Sequence, residues 1–197
     1  MQIPRRFPDW QVPFVIFLLC ALAAAWSDSA RELLRYERQA AGEIWRFLTA
    51  HVVHLGYLHL ALNLLGLGVV WLLVGRRFGH RQWYFVIVTC AVSVSVGLWW
   101  LDSDLDWYLG LSGVLHGMLA AGAVRGIREL PVESLAICAI LAGKLAYEQF
   151  AGPLPGAASA GPVIVNAHLY GAAGGALCGL ILYIMPAHSP PPDEEFS

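Results

Sequence analysis

Apolar residues gather into six stretches along the chain, at about 10–26, 56–74, 82–101, 112–124, 133–150 and 163–185. A helix needs about 20 such residues to cross a bilayer. The pattern therefore predicts an all-α membrane protein of six transmembrane helices, with a fourth helix shorter than the rest. Trp10 and Trp26 bracket the first stretch as interfacial aromatic anchors do. The first 25 residues share parts of a signal-peptide pattern, but the apolar run continues to Trp26 without a clean cleavage boundary. It is read as a span.

The connections carry their own signals. Ser29-Ala-Arg-Glu32 has the form of a capping box, and Leu33, Tyr36, Ala40 and Ile44 fall on one helical face. An amphipathic helix lying in the membrane interface is expected for this first outer loop. The 151–162 segment, "AGPLPGAASAGP", reads as an uncharged loop. Residues 1–185 are expected to form one membrane domain, and 186–197, "PAHSPPPDEEFS", a short disordered tail.

Basic residues set the expected orientation. Arg5, Arg6, Arg76, Arg77, Arg81, Arg125 and Arg128 fall on one side of a six-span arrangement, whereas the 102–111 and 151–162 connections hold no Lys or Arg. The positive-inside rule then puts both termini in the cytoplasm. Arg31, Arg35, Arg38 and Arg46 dissent, interleaved with Glu32, Glu37 and Glu43.

Composition agrees with the pattern. Charged residues make up 13% of the chain and hydrophobic ones 58%, where soluble domains are about 25% charged. A net charge of −2 gives no sign of a nucleic-acid partner. The four cysteines stand alone in apolar stretches, without zinc-ligand or disulfide spacing. His51-x-x-His54 and His59 could share a metal, but no carboxylate or cysteine joins them and HExxH is absent, so neither metal nor cofactor is expected. His54 is read as a structural residue bonding loop backbone. Asp102, Asp104 and Asp106 read as a solvated acidic loop.

Lys144 and Glu148, four apart in the fifth stretch, read as a mutually neutralising pair near its outer end. Intramembrane charges can instead mark an ion pathway, which makes a transporter the alternative reading. Against it, no inverted repeat is visible and the polar residues collect on one side rather than at the midplane.

Counting residues gives depth. Ser112 lies 13 residues before Arg125, about 20 Å of helix. In a hydrocarbon core about 30 Å thick, Ser112 then sits about 10 Å below the outer edge. The preceding "DSDLDWYLGL" must dip with it, and irregular backbone survives there only when enclosed by protein or lining a cavity. Asn63 lies 13 residues before Arg76 and so reaches the same depth, with His59 one turn above it. His168 belongs to the outer half of the sixth span. Gly171, Gly175 and Gly179 follow it, and Gly113, Gly117, Gly122 and Gly126 give the fourth span matching small faces. Close approach of the two helices would bring Ser112 and His168 within about 3 Å, as an acid–base pair requires.

"EIWRFLTAHVVHLGYLHLALN", "GLSGVLHG" and "AHLYGAAGG" resemble the rhomboid family of intramembrane serine proteases over about residues 43–180. Trp45-Arg46, His59-x-x-x-Asn63, Gly110-x-Ser112-Gly113 and His168-x-x-Gly171-x-x-x-Gly175 occur in the family's order. The resemblance implies a Ser–His dyad with no third acid: Ser112 as nucleophile and His168 as general base and acid. It further implies an oxyanion hole of His59, Asn63 and the Ser112 backbone N–H. Single-span membrane proteins would enter laterally near the fifth span and the 151–162 loop. Water, or a lipid amine, would resolve the acyl-enzyme.

Two departures stand out. The family often has a glutamate at the inner end of span two, where this chain has Gly75, and a tyrosine four residues after the serine, where it has His116. His116 together with "AHLYGAAGG" is similar to the rhombosortase subgroup. Its proposed partners are secreted proteins bearing a C-terminal GlyGly-CTERM segment, processed at the bacterial inner membrane with the active site open to the periplasm. His116 could itself touch Ser112, being four residues on. His168 is the preferred base, with His116 stacked beside or bonded to the dyad. A silent rhomboid-like scaffold, the remaining alternative, would lack the serine or the histidine.

Overall fold

The computed structural model describes residues 10–26, 28–40 and 42–184, so Arg5, Arg6 and the expected disordered tail lie outside the described residues. Each apolar stretch folds as a helix. α1 spans Gln11–Ala25, α4 Tyr57–Val74, α5 His80–Leu101, α6 Ser112–Gly126, α7 Pro131–Ala151 and α8 Val165–Ile184. Between the first two, α2 covers Asp28–Leu34 and α3 Arg46–Thr49. Among the described residues, three segments are long and apolar enough to cross a membrane: Tyr57–Arg77, His80–Leu101 and Val165–Ile184.

α6 is the centre of the bundle. Gly113, Val114, Leu115, Gly117, Met118, Ala120, Ala121 and Ala123 are buried around its whole circumference, as expected of a helix apolar on every side. It packs against α4, α5, α7 and α8. The tightest seam runs to α8. A methyl group on Gly171 would run into the Gly113 carbonyl, one on Gly175 into that of Gly117, and one on Gly179 into Ala121. Gly122 and Gly126 do not join this seam, contrary to expectation: they face Val74, and Arg77 with Ser134. Helical rotation turns the second glycine pair away from α8.

The C-terminal end of α4 is closed without the glutamate that the resemblance implied. The Trp83 indole donates to the Gly75 carbonyl at 2.9 Å, and Arg77 pairs with Glu133 of α7 at 3.1 Å. Gly75 leaves room for the Trp71 ring, which a Cβ there would meet at 2.9 Å.

The segment between α1 and α4 is not the continuous amphipathic helix that its periodicity suggested. Ser29 falls inside α2 rather than capping it, and the chain then extends into a short strand, β1 (Tyr36–Glu37), paired antiparallel with β2 (Trp107–Tyr108). Arginines decide this. The Arg38 guanidinium donates to the carbonyls of Leu98 (2.7 Å), Trp99 (3.1 Å), Asp102 (2.7 Å) and Leu105 (2.9 Å), capping the C-terminal end of α5. Arg46, buried, donates to the Arg35 carbonyl at 2.9 Å and to Glu43 at 2.7 Å. Tyr36 is fully buried. Two of the arginines that dissent from the charge rule thus satisfy backbone carbonyls.

Candidate active site

A cavity of about 630 Å³ lies between α4, α6, the segment 105–109, the segment 157–164 and the start of α8. His59, Asn63, Ser112, His116 and His168 all line it, and the rest of its wall is largely apolar, including Leu62, Leu65, Val69 and Leu115. The 151–162 connection contributes Ala157, Ala160, Gly161 and Pro162.

The end of the irregular segment before α6, residues 108–111, is enclosed by protein. Tyr108, Leu109 and Leu111 are buried. The Tyr108 hydroxyl donates to the Gly110 carbonyl at 2.9 Å, and the Gly110 N–H donates to the Ala50 carbonyl at 2.9 Å. Gly110 has φ +120°, and a Cβ on it would meet the His59 ring at 2.9 Å. Both the backbone conformation and the close ring demand glycine here. The chain then enters α6 at Ser112, whose backbone N–H belongs to the first turn and has no carbonyl of its own helix to bond.

The α6–α8 seam brings Ser112 Oγ to 3.0 Å from His168 Nε2. His168 is only 5% exposed. Its other nitrogen, Nδ1, lies 2.9 Å from Glu148 Oε2. Lys144 Nζ sits 2.6 Å from the same carboxylate oxygen and 3.4 Å from His168 Nδ1. This corrects two expectations. Lys144 and Glu148 do pair, but not only with each other, and a carboxylate stands where the resemblance implied none. The signal was in the sequence: Glu148 is one turn from the C-terminal end of its helix and His168 one turn from the N-terminal end of the next.

His116 lies flat against His168, with ring centroids 4.2 Å apart and planes 16° from parallel. Its Nδ1 is 2.7 Å from the Ser112 backbone carbonyl. A carbonyl only accepts, so Nδ1–H donates to it. His116 thus meets Ser112 through the backbone, and the hydroxyl is left to His168.

On α4, the Asn63 side chain is buried, and its Nδ2 donates to the His59 carbonyl at 2.9 Å. That bond uses one of two amide protons. The His59 ring stands edge-on to His54, with centroids 5.1 Å apart. His54 thus packs its ring on His59 at the rim of the site. His51 points elsewhere, its Nε2 3.1 Å from the Ala91 carbonyl on α5. Asp102 is not simply solvated: it accepts from Asn166 of α8 at 2.6 Å, two residues before His168.

His116, Glu148 and His168 have donor atoms within 4.8 Å of one another, a spacing that could hold a metal. A cation there would compete with the Lys144 ammonium for the Glu148 carboxylate. The arrangement suits proton transfer between a hydroxyl and an imidazole.

Comparison with known proteins agrees with the motifs. Residues 41–185 match the family model for the rhomboid domain. The chain is 33% identical over 82 residues to rhomboid protease GluP of Bacillus subtilis (strain 168), covering 42% of this chain and 16% of that relative. With a domain match running from before α3 to the end of α8, the chain belongs to the rhomboid family and is an integral membrane protein.

Proposed function

We propose that this chain is an intramembrane serine endopeptidase cutting single-span membrane proteins. The observation that carries the reading is the 3.0 Å approach of Ser112 Oγ to His168 Nε2 at a largely apolar cavity. Ser112 attacks the scissile carbonyl while its proton passes to His168 Nε2. The C–N bond breaks, and His168 returns the proton to the leaving amine. Water then adds to the acyl-enzyme, giving up a proton to His168, which passes it to Ser112 Oγ as the acyl C–O bond breaks. His59, Asn63 and the Ser112 backbone N–H stabilise the oxyanion; one such donor contributes about 3–4 kcal/mol to the transition state.

The proposed setting is a bacterial inner membrane, with six crossings, both termini cytoplasmic and the site facing the periplasm. Arginine placement supports that orientation. The narrower substrate class is the C-terminal GlyGly-CTERM segment of secreted proteins. His116 and "AHLYGAAGG" support it by resemblance. So does helix physics: a peptide bond must leave its helix to be attacked, and glycine lowers that cost by about 1 kcal/mol.

Fluorophosphonate labelling of purified wild type and Ser112→Ala tests the chemistry. A Ser112-dependent adduct is expected; without one, a transporter or a silent scaffold replaces the protease. Co-expression with a secreted reporter ending in Gly-Gly, a span and a basic tail tests the substrate. If a generic single-span substrate is cut and this reporter is not, the subgroup assignment falls.

A further inference from the structure

Glu148 has no local reason to be where it is. It is 2% exposed in the last turn of α7. A carboxylate there faces the negative end of the helix dipole. Lys N-terminal to Glu at i,i+4 is the weaker order for a helix-stabilising pair. Burying two charges costs more than their attraction returns unless further hydrogen bonds satisfy them. Within a membrane, such groups usually serve function. The further hydrogen bond in this structure goes to one atom, His168 Nδ1, at 2.9 Å.

We propose that Glu148, held ionised by Lys144, is a positioning residue that fixes the tautomer and orientation of His168, so that Ser112, His168 and Glu148 act as a triad. The inference rests on the protease reading of Ser112 and His168. An ionised carboxylate can only accept a hydrogen bond. Facing it, Nδ1 must carry the ring proton, and Nε2 is left with its lone pair toward Ser112 Oγ, 3.0 Å away. The opposite tautomer would offer the hydroxyl an N–H and stop the reaction. When Nε2 takes the serine proton, the imidazolium keeps Nδ1–H donated to Glu148, and no proton moves to the carboxylate.

Lys144 serves the carboxylate. Its ammonium is 2.6 Å from Glu148 Oε2 and 3.4 Å from Nδ1. With Lys144 alone, a neutral Nδ1 would accept from the ammonium and the wrong tautomer would form. Glu148 prevents this by taking the ammonium for itself. The other groups around the ring are His116 and Ser112 from α6, while Asp102 at the end of α5 is occupied by Asn166. Glu148 is thus the carboxylate at the ring among the described residues.

The test uses the full chain in detergent, with Glu148→Gln, Glu148→Asp, Lys144→Met and the double variant Lys144→Met/Glu148→Gln. Rates are normalised to folded protein. Glu148→Gln is expected to lower kcat and fluorophosphonate labelling by about 100-fold or more, with KM within about threefold of wild type. Glu148→Asp should recover part of the loss, because it keeps an acceptor-only group. Lys144→Met should be impaired, and the double variant should be no worse than Glu148→Gln, because Lys144 acts through the carboxylate. With ring-15N histidine, wild type should show a far-downfield Nδ1–H proton of an imidazole bonded to carboxylate, absent from Glu148→Gln. Glu148→Gln labelling at the wild-type rate per folded molecule, or additive effects in the double variant, would overturn the triad while leaving the protease reading intact. Absence of Ser112-dependent labelling in wild type would overturn both.

Discussion

The rings of His116 and His168 are stacked, 4.2 Å between centroids, while the Nδ1 of His116 is tied to the backbone carbonyl of Ser112. A second imidazole therefore holds the first in place without reaching the hydroxyl. His168→Ala should abolish fluorophosphonate labelling. His116→Phe keeps a flat ring against His168 and should slow labelling by less than about tenfold, as near-isosteric swaps do. Loss of labelling in His116→Phe with His168→Ala still reactive would exchange their roles.

Asn63 is held by its bond to the His59 carbonyl, with one amide proton left over. If that proton meets the oxyanion, Asn63→Ala should lower kcat by about 100- to 1,000-fold, with thermal stability changed much less. Steady-state kinetics on a cleaved substrate, beside thermal melting in detergent, separates the two effects. A change in KM alone would remove Asn63 from the oxyanion hole.

The α6–α8 seam couples stability to chemistry. Gly175→Leu would drive its side chain into the Gly117 carbonyl. A cost of about 3 kcal/mol or more is expected from such overpacking, and separation of the helices should remove Ser112 from His168. Melting temperature and labelling should fall together. Gly143→Ala on α7, where a Cβ meets nothing within 4 Å, should be neutral or more stable by about 0.5–1 kcal/mol.

Arg38 should be irreplaceable by lysine. Its fork reaches four carbonyls in and just after the last turn of α5, a geometry that one ammonium cannot reproduce. Arg38→Ala and Arg38→Lys should both lower stability, the former by about 2–3 kcal/mol. Thermal unfolding reads this directly, and full rescue by lysine would show that charge alone matters.

Much of this architecture follows from the chain alone. Apolar runs set the helices to within a few residues: the stretch 133–150 became Pro131–Ala151, and the short fourth run became the short α6. Depth counting and spacing brought out Ser112, His168, His59 and Asn63, because residues on one helix are related by fixed geometry. The rest depends on how each helix is rotated about its axis. Lipid and protein core are equally apolar, so no stripe of polarity tells which face of α7 meets α8. That rotation decides that Glu148 touches His168 and that Gly122 turns away from the seam, and long-range packing sets Arg38 on the end of α5 in place of an interfacial helix. Local periodicity carries i to i+4 relationships and no more. The 2.9 Å from Glu148 to His168, across 20 residues of sequence, is set by packing.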